Sequence, residues 1–338
     1  MLPSIAVGEA LRERGASVTF AGSRDRVEAG LVPEAGFEFD SFSIDGLPRK
    51  PGVELARSLL RAGRAVGECR RILHRRRPGV VLGAGSFVAG PMVVAAASMR
   101  IPAALTEADA HLGLANRLAA PFARRVFLSY AIQGLEPPKY RVVGRPIPAR
   151  SKPMPRAEAR AKLGLPEGPV LAVFGARAGA RRLNEFAVEA WGSDGPTVLH
   201  LSGERDYEAL RGAVRRDAYR LLPTVEEFGA ALSAADLAVS RSGGTVWELA
   251  AAGLPAILVP FPHATADHQT KNARYFERGG GAVLVPESEI GLIPGLVAEL
   301  LADAARLKEM SEAMRALGRE DAADRIAEEV IELAATRG

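Results

Sequence analysis

ADLAVSRSGGTVWELAAAGLPAILVPFPHATADHQTKNA, residues 235–273, is the stretch whose reading decides the fold. An apolar run ends at Ser242, two glycines form a tight turn, and a helical pattern starts near Thr245. A second apolar run, LPAILVPF (254–261), follows, so the segment reads as strand, turn, helix, strand, the unit of a parallel sheet. Small residues at Ser242, Gly243, Gly244 and Thr245 let backbone N–H groups approach a phosphate at the positive end of a helix. Glu248 falls on the first helical turn, where a carboxylate can accept hydrogen bonds from two ribose hydroxyls. Beyond the second strand, HATADHQ leads into another helix with Asp267 near its cap and Gln269 beside it, groups suited to sugar hydroxyls. The same spacing also fits a plain strand, glycine turn and capped helix with no ligand.

Working outward, apolar runs at 168–175, 196–203 and 281–287 join 235–242 and 254–261 as strands of one series, with helices between them and a helical tail from about 303 to 337. The first half repeats the alternation, with strands expected at 17–22, 37–43, 79–85, 102–108 and 125–130. Between the halves, EPPKYRVVGRPIPARSKPMP (136–155) is rich in proline and basic residues, as a linker is. The expected fold is therefore α/β, with two Rossmann-like doubly wound domains, 1–147 and 148–338, facing one another across a cleft. The last helix is a candidate to cross back onto the first domain. The chain opens on what reads as a helix, PSIAVGEALRERG, so the usual first strand and glycine-rich turn of such a domain are expected to be missing.

Two further glycine-bearing turns end strands. In VFGARAGARRLNE, Gly175 and Gly179 bracket a turn into a helix, with Arg177 adding positive charge. GAGSFVAGP (83–91) does the same in the first half. There, LTEADAHLGLANRLAA (105–120) sets Glu107, Asp109 and His111 just past a strand end, where a carboxylate can serve as a general base or simply cap a helix.

Composition limits the alternatives. The chain is 48% hydrophobic and 25% charged, as soluble globular proteins are, and no apolar run approaches the roughly 18 residues of a membrane span. The start has no basic segment ahead of an apolar one, so no signal peptide is expected, and the single cysteine, Cys69, excludes an internal disulfide. The five histidines show no metal-ligand spacing, so neither a metal nor a cofactor is expected. Charge is lopsided: residues 1–150 hold 22 Lys and Arg against 13 Asp and Glu, while the rest holds 22 against 27. Much of the excess lies in RSLLRAGRAVGECRRILHRRR (57–77), whose Arg57, Arg61, Arg64, Arg70 and Arg71 belong to a basic amphipathic pattern. Such a helix can rest on an anionic membrane or merely face water while packing its apolar stripe on its own sheet. No aromatics interleave with these arginines, so nucleic acid is not an expected partner.

These segments together resemble the MurG family, the peptidoglycan N-acetylglucosaminyltransferases of GT-B fold. The likeness runs through LPSIAVGEALRERGASVTFAG, RPGVVLGAGSFVAGP, TEADAHLGLANRLAAPFARRV, VVGRP, GARAGARRLNE, the 235–273 block and GGGAVLVPE. It implies transfer of N-acetylglucosamine from UDP-GlcNAc, with inversion, to the C4 hydroxyl of an undecaprenyl-linked muramyl pentapeptide at the cytoplasmic membrane face of a bacterium. By motif, Glu248 would hold the ribose, Ser242, Gly243, Gly244 and Thr245 the diphosphate, His268 and Gln269 the sugar, and the backbone near Val225 the uracil. Arg145, Gly175, Arg177 and Gly179 join the donor set, Asn116 and Asn184 match polar cleft positions, and the arginines of 57–77 would face the membrane.

The chain departs from the family pattern at four places. The histidine of the family's first glycine-rich loop would fall just before Met1, GGSQGA becomes GARAGA, GNP becomes GRP, and EQN becomes Glu107-Ala108-Asp109. Three alternatives therefore stand beside the implied activity: a GT-B transferase with another acceptor, a non-catalytic nucleotide- or lipid-binding homologue, and an epimerase on a related fold.

Overall fold

The computed structural model describes residues 1–44, 53–175 and 180–336. By contact the chain separates into two compact units, Met1–Pro148 with Asp321–Gly338, and Ala149–Glu320.

The first unit runs α1 (Leu2–Glu13), β1 (Thr19–Ser23), α2 (Glu28–Glu34), β2 (Glu38–Phe42), α3 (Val53–Arg76) and β3 (Val81–Gly83). It continues through α4 (Ser86–Ser98), β4 (Ala103–Glu107), α5 (Leu114–Ala119), β5 (Arg125–Leu128) and β6 (Tyr140–Val142). The sequence reads these strands as one doubly wound sheet, whereas the described residues form two parallel sheets, β1-β2 and β3-β4-β5-β6. β1 and β3 are each a sheet edge, and the thirteen-residue, almost wholly apolar α4 packs on both. β6 lies inside the proline-rich stretch read as linker; three residues pairing on β5 are enough to make it an edge strand.

α3 is amphipathic as its spacing predicts. Ala65, Cys69, Ile72 and Leu73 are buried on one stripe, while Arg64, Arg70 and Arg71 are exposed. Burial pushes the Cys69 thiol up to about 12, which makes it a packing group and no nucleophile. The side chains of Arg57 and Arg61 lie outside the described residues.

The second unit runs α6 (Arg156–Leu163), β7 (Val170–Phe174), α7 (Arg181–Trp191), β8 (Thr197–Leu201), α8 (Glu204–Leu210), β9 (Tyr219–Leu222) and α9 (Phe228–Ala234). It then runs β10 (Leu237–Ser240), α10 (Val246–Ala252), β11 (Ala256–Leu258), α11 (His268–Arg278), β12 (Ala282–Leu284), α12 (Ile293–Ala302) and α13 (Ala304–Leu317). Its strands form one parallel sheet in the order β12-β11-β10-β7-β8-β9. β7, β10 and β11 are buried at every residue, which is why VLAVF, LAVS and AIL read as continuous apolar runs rather than alternating ones.

α14 (Ala322–Ala335) returns to the first unit. Its buried Ile326, Val330 and Leu333 join Val7 of α1, Ala104, Phe127 and Val143 in one core cluster. Arg14 clasps the helix from outside, 2.8 Å from Asp324 and 3.2 Å from Glu328. Among the described residues no helix is long and apolar enough to cross a membrane.

Candidate functional site

In the second unit the chain steps outward from β7 to β8 and β9, then returns through α9 to the other side of β7 and steps outward again through β10, β11 and β12. Strand order therefore reverses between β7 and β10, and open parallel sheets take ligands beyond the strand C-termini at such a point. Register pairs Ser240 with Phe174, so Gly175 and the Ser242–Thr245 turn open side by side. Arg177 and Gly179 lie outside the described residues.

Val246 and Trp247 donate to the Gly243 and Gly244 carbonyls at 3.3 and 3.2 Å, closing the turn. The N–H groups of Gly243, Gly244 and Thr245 make no backbone hydrogen bond among the described residues, and the Ser242 hydroxyl is buried without a partner there. These are donors a diphosphate can take up. α10 spans only seven residues, so these local N–H groups matter more than its dipole.

Glu248 sits on the first turn of α10, half-buried, and accepts a 2.6 Å hydrogen bond from the hydroxyl of Ser151. Ser151 is wholly buried in a short helical turn, Ala149–Ser151, packed on α9. Gly229 of α9 permits that packing, since a Cβ there would collide with the Lys152 carbonyl. His268 begins α11, and the Gln269 side chain accepts from Phe261 N at 2.9 Å. Asn272, one turn on, donates to the Ser242 carbonyl at 3.3 Å, tying α11 to the glycine turn. Val225 lies three residues past β9, two strand positions from β7 or about 10 Å across the sheet.

Asn184 is buried on α7 and belongs to a polar core. It donates to the Ser202 carbonyl at 2.8 Å and to Asp206 at 3.0 Å, and its side-chain oxygen meets His200 Nε2 at 3.1 Å. His200 Nδ1 lies 2.7 Å from the Tyr219 hydroxyl, and burial lowers the His200 pKa to about 3. This imidazole is therefore neutral and structural.

In the first unit the Glu107 carboxylate is buried at the end of β4 and already engaged. It accepts from the backbone N–H of Ala108, Asp109 and Gly113 at 2.9, 3.2 and 2.9 Å, and from the Asn116 amide at 2.9 Å. Asn116 also holds the Thr106 carbonyl at 2.9 Å, beside Gly85 at the start of α4. Glu107 thus shapes the 108–113 turn. The half-buried Asp109 has no side-chain partner among the described residues. Arg145 belongs to this unit, where it donates to the Ala108 carbonyl at 3.4 Å; within their units the other described donor candidates lie in the second. Among the described residues no group of His, Cys, Asp or Glu side chains could hold a metal ion.

Comparison with known sequences and structures adds a second line of argument. The glycosyltransferase family 28 N-terminal domain matches residues 1–128, and the corresponding C-terminal domain matches 170–326. A Halorhodospira halophila protein is 40% identical over 96% of this chain and 92% of its own length. One from Halothermothrix orenii is 34% identical over 94% and 91%. Both are named UDP-N-acetylglucosamine–N-acetylmuramyl-(pentapeptide) pyrophosphoryl-undecaprenol N-acetylglucosamine transferase. The chain belongs to the MurG family of glycosyltransferases.

Its fold is GT-B. The crystal structure of Acinetobacter baumannii MurG matches with a TM-score of 0.80 at 25% identity, covering 98% of this chain and 95% of that one. The calicheamicin glycosyltransferase CalG4 matches at 0.69 with 17% identity, a likeness of fold alone. Sequence reasoning did not single out three buried polar residues of the second unit, Ser151, Arg241 and His200. Ser151 lies hidden in the linker-like stretch with no local signal. Arg241 sits inside the quoted block, where a lone arginine at the end of a buried strand is the available clue. His200, a single histidine in an apolar strand, is another such clue.

Proposed function

We propose that this chain transfers N-acetylglucosamine from UDP-GlcNAc to the C4 hydroxyl of an undecaprenyl-linked N-acetylmuramyl pentapeptide, with inversion at the sugar's C1. The observation that carries the reading is the switch point of the second unit, where turn N–H groups with no backbone partner among the described residues stand beside a braced carboxylate. The names of relatives that span nearly the whole chain supply the substrate identities.

In this reading Glu248 accepts from the ribose hydroxyls, with Ser151 holding its carboxylate in place. The N–H groups of Gly243, Gly244 and Thr245, with the Gly175 loop, Arg177 and Gly179, hold the diphosphate, and the backbone near Val225 meets uracil. His268 and Gln269 hold the sugar, and Arg145 and Asn116 steady the 107–109 turn. The acceptor oxygen attacks C1 as the bond from C1 to the diphosphate oxygen breaks and UDP departs. The proton of the C4 hydroxyl passes to a carboxylate, for which Asp109 suits better than the fully engaged Glu107. Fixed N–H donors stabilise the charge that develops on the leaving diphosphate.

In this reading the chain meets its undecaprenyl-linked acceptor at the anionic cytoplasmic face of a bacterial membrane. Support comes from two helices flanking α4: α3 exposes Arg64, Arg70 and Arg71, while α5 and the turn after it expose Leu114, Leu118 and Phe122 beside Arg117 and Arg124. Apolar side chains inserted among basic ones are what an anionic interface attracts.

Glu248→Ala tests the donor assignment. Calorimetric titration with UDP-GlcNAc should show affinity at least about tenfold weaker than the parent. Unchanged affinity would place the ribose elsewhere.

A further inference from the structure

The Arg241 guanidinium lies across the C-terminal ends of three neighbouring strands. Arg241 directly follows β10 and is buried, with 6% of its surface exposed. Its Nη1 donates to the Val259 and Pro260 carbonyls, both at 3.2 Å, where the chain leaves β11. Its Nη2 pairs with Glu287, just past β12, and the guanidinium carbon stands 5.6 Å from the Phe261 ring centroid. The guanidinium divides these partners between two nitrogens, one on the pair of adjacent carbonyls and the other on the carboxylate.

What hangs from these carbonyls is the loop that ends in His268 and Gln269. Phe261 is the next residue after Pro260, and its N–H donates to Gln269. On the other side, Asn272 ties the same helix to the Ser242 carbonyl in the glycine turn. The loop is thus referenced to the diphosphate turn at two points, one of them the Arg241 side chain itself. The partners of the Arg241 guanidinium among the described residues lie at Val259, Pro260 and Glu287, outside the turn itself.

We infer that Arg241 is a positioning residue for the donor sugar: it sets the distance between the diphosphate turn and the sugar-facing Gln269 loop, and Glu287 holds it in place. This rests on the donor-site reading given above. The nucleotide half of the donor is indifferent to the Arg241 side chain, whereas recognition of the hexose depends on it.

The test separates those halves. UDP affinity is measured by calorimetry, and kcat/KM is measured with UDP-GlcNAc and with its C4 epimer UDP-GalNAc, for the parent, Arg241→Lys and Glu287→Gln. A lysine keeps the charge but offers a single nitrogen where the guanidinium uses two. Arg241→Lys should therefore leave UDP affinity within about threefold of the parent while the preference for UDP-GlcNAc over UDP-GalNAc falls about tenfold. Glu287→Gln keeps an acceptor but loses the charge, so it should move the preference in the same direction by less; it carries the test if Arg241→Lys does not fold. Parallel loss of UDP affinity and kcat/KM, or an unchanged sugar preference, overturns the inference. A parent that fails to bind UDP or to use UDP-GlcNAc instead overturns the donor-site reading on which it rests.

Discussion

The Ser151 hydroxyl and the Glu248 carboxylate, 97 positions apart in the chain, meet at 2.6 Å inside the second unit. The contact fixes one carboxylate oxygen and so the direction in which the other points. A hydrogen bond to a charged group contributes about 1.5–3 kcal/mol. With Glu248 on the ribose as proposed, Ser151→Ala should raise KM for UDP-GlcNAc about tenfold with kcat nearly unchanged, because such a contact is made equally in ground and transition states. Steady-state kinetics read the split, and a fall in kcat with constant KM would contradict the role. Gly229→Ala should reproduce the effect, by pushing the Ala149–Ser151 turn off α9.

Acid should weaken the second unit through His200. Its pKa in the folded chain is about 3, against 6.5 when exposed, so between those values the unfolded chain binds a proton that the folded chain does not. The contribution of the neutral imidazole is complete above pH 6.5 and is lost as pH falls toward 3. The slope is about 1.4 kcal/mol per pH unit. Asp206, held below the usual carboxylate range by Arg205, adds a loss of the same sign at lower pH. Urea titrations at pH 7.5 and 5 should show this dependence flattened in His200→Gln, which will be less stable than the parent at pH 7.5. An equal slope in both proteins would mean that His200 does not carry it.

Glu107 and Asp109 should separate cleanly. Glu107→Gln places an NH2 group among four donors, so the melting temperature should fall by several degrees, and lost activity should accompany lost structure. Asp109→Asn should leave the melting temperature within about 1 °C and lower kcat at least about a hundredfold, as expected for loss of a general base. If Asp109→Asn retains parental kcat, the base lies elsewhere.

Vesicle binding should need both chemistries of the first unit. Charge reversal at Arg64, Arg70 and Arg71 should abolish most binding to vesicles containing anionic lipid and remove its salt dependence. Leu118→Glu with Phe122→Glu should weaken binding even at low salt, since inserted apolar area contributes independently of charge. Co-sedimentation distinguishes them, and binding that is equal for neutral and anionic vesicles would refute the charge component.

The centre of the second unit is legible in the sequence because β7, β10 and β11 are buried on both faces and each is followed within three residues by glycine or proline. The 235–273 block locates the start of α10 within one residue and the end of β10 within two. β6 and β9 escape detection for opposite reasons. β6 is three half-exposed residues in a proline-rich stretch, and YRLL of β9 carries an arginine that breaks the apolar run. Division of the first unit into two sheets is a matter of pairing, which strand propensity does not encode. The Ser151–Glu248 and Arg241–Glu287 contacts join residues 97 and 46 positions apart, and local spacing carries no trace of either.

The place of α14 bears on how the chain is made. Ile326, Val330 and Leu333 complete a cluster whose other members, Val7, Ala104, Phe127 and Val143, are translated long before them. The whole of Ala149–Glu320 is synthesised in between. On the ribosome the first unit must wait, its α1 face and sheet uncovered, while the second emerges and folds. Each of those three late side chains contributes about 1.5–3 kcal/mol on burial. A nascent chain halted after residue 320 would therefore carry a finished second unit joined to an unfinished first one, and this interval is when a chaperone has most to hold.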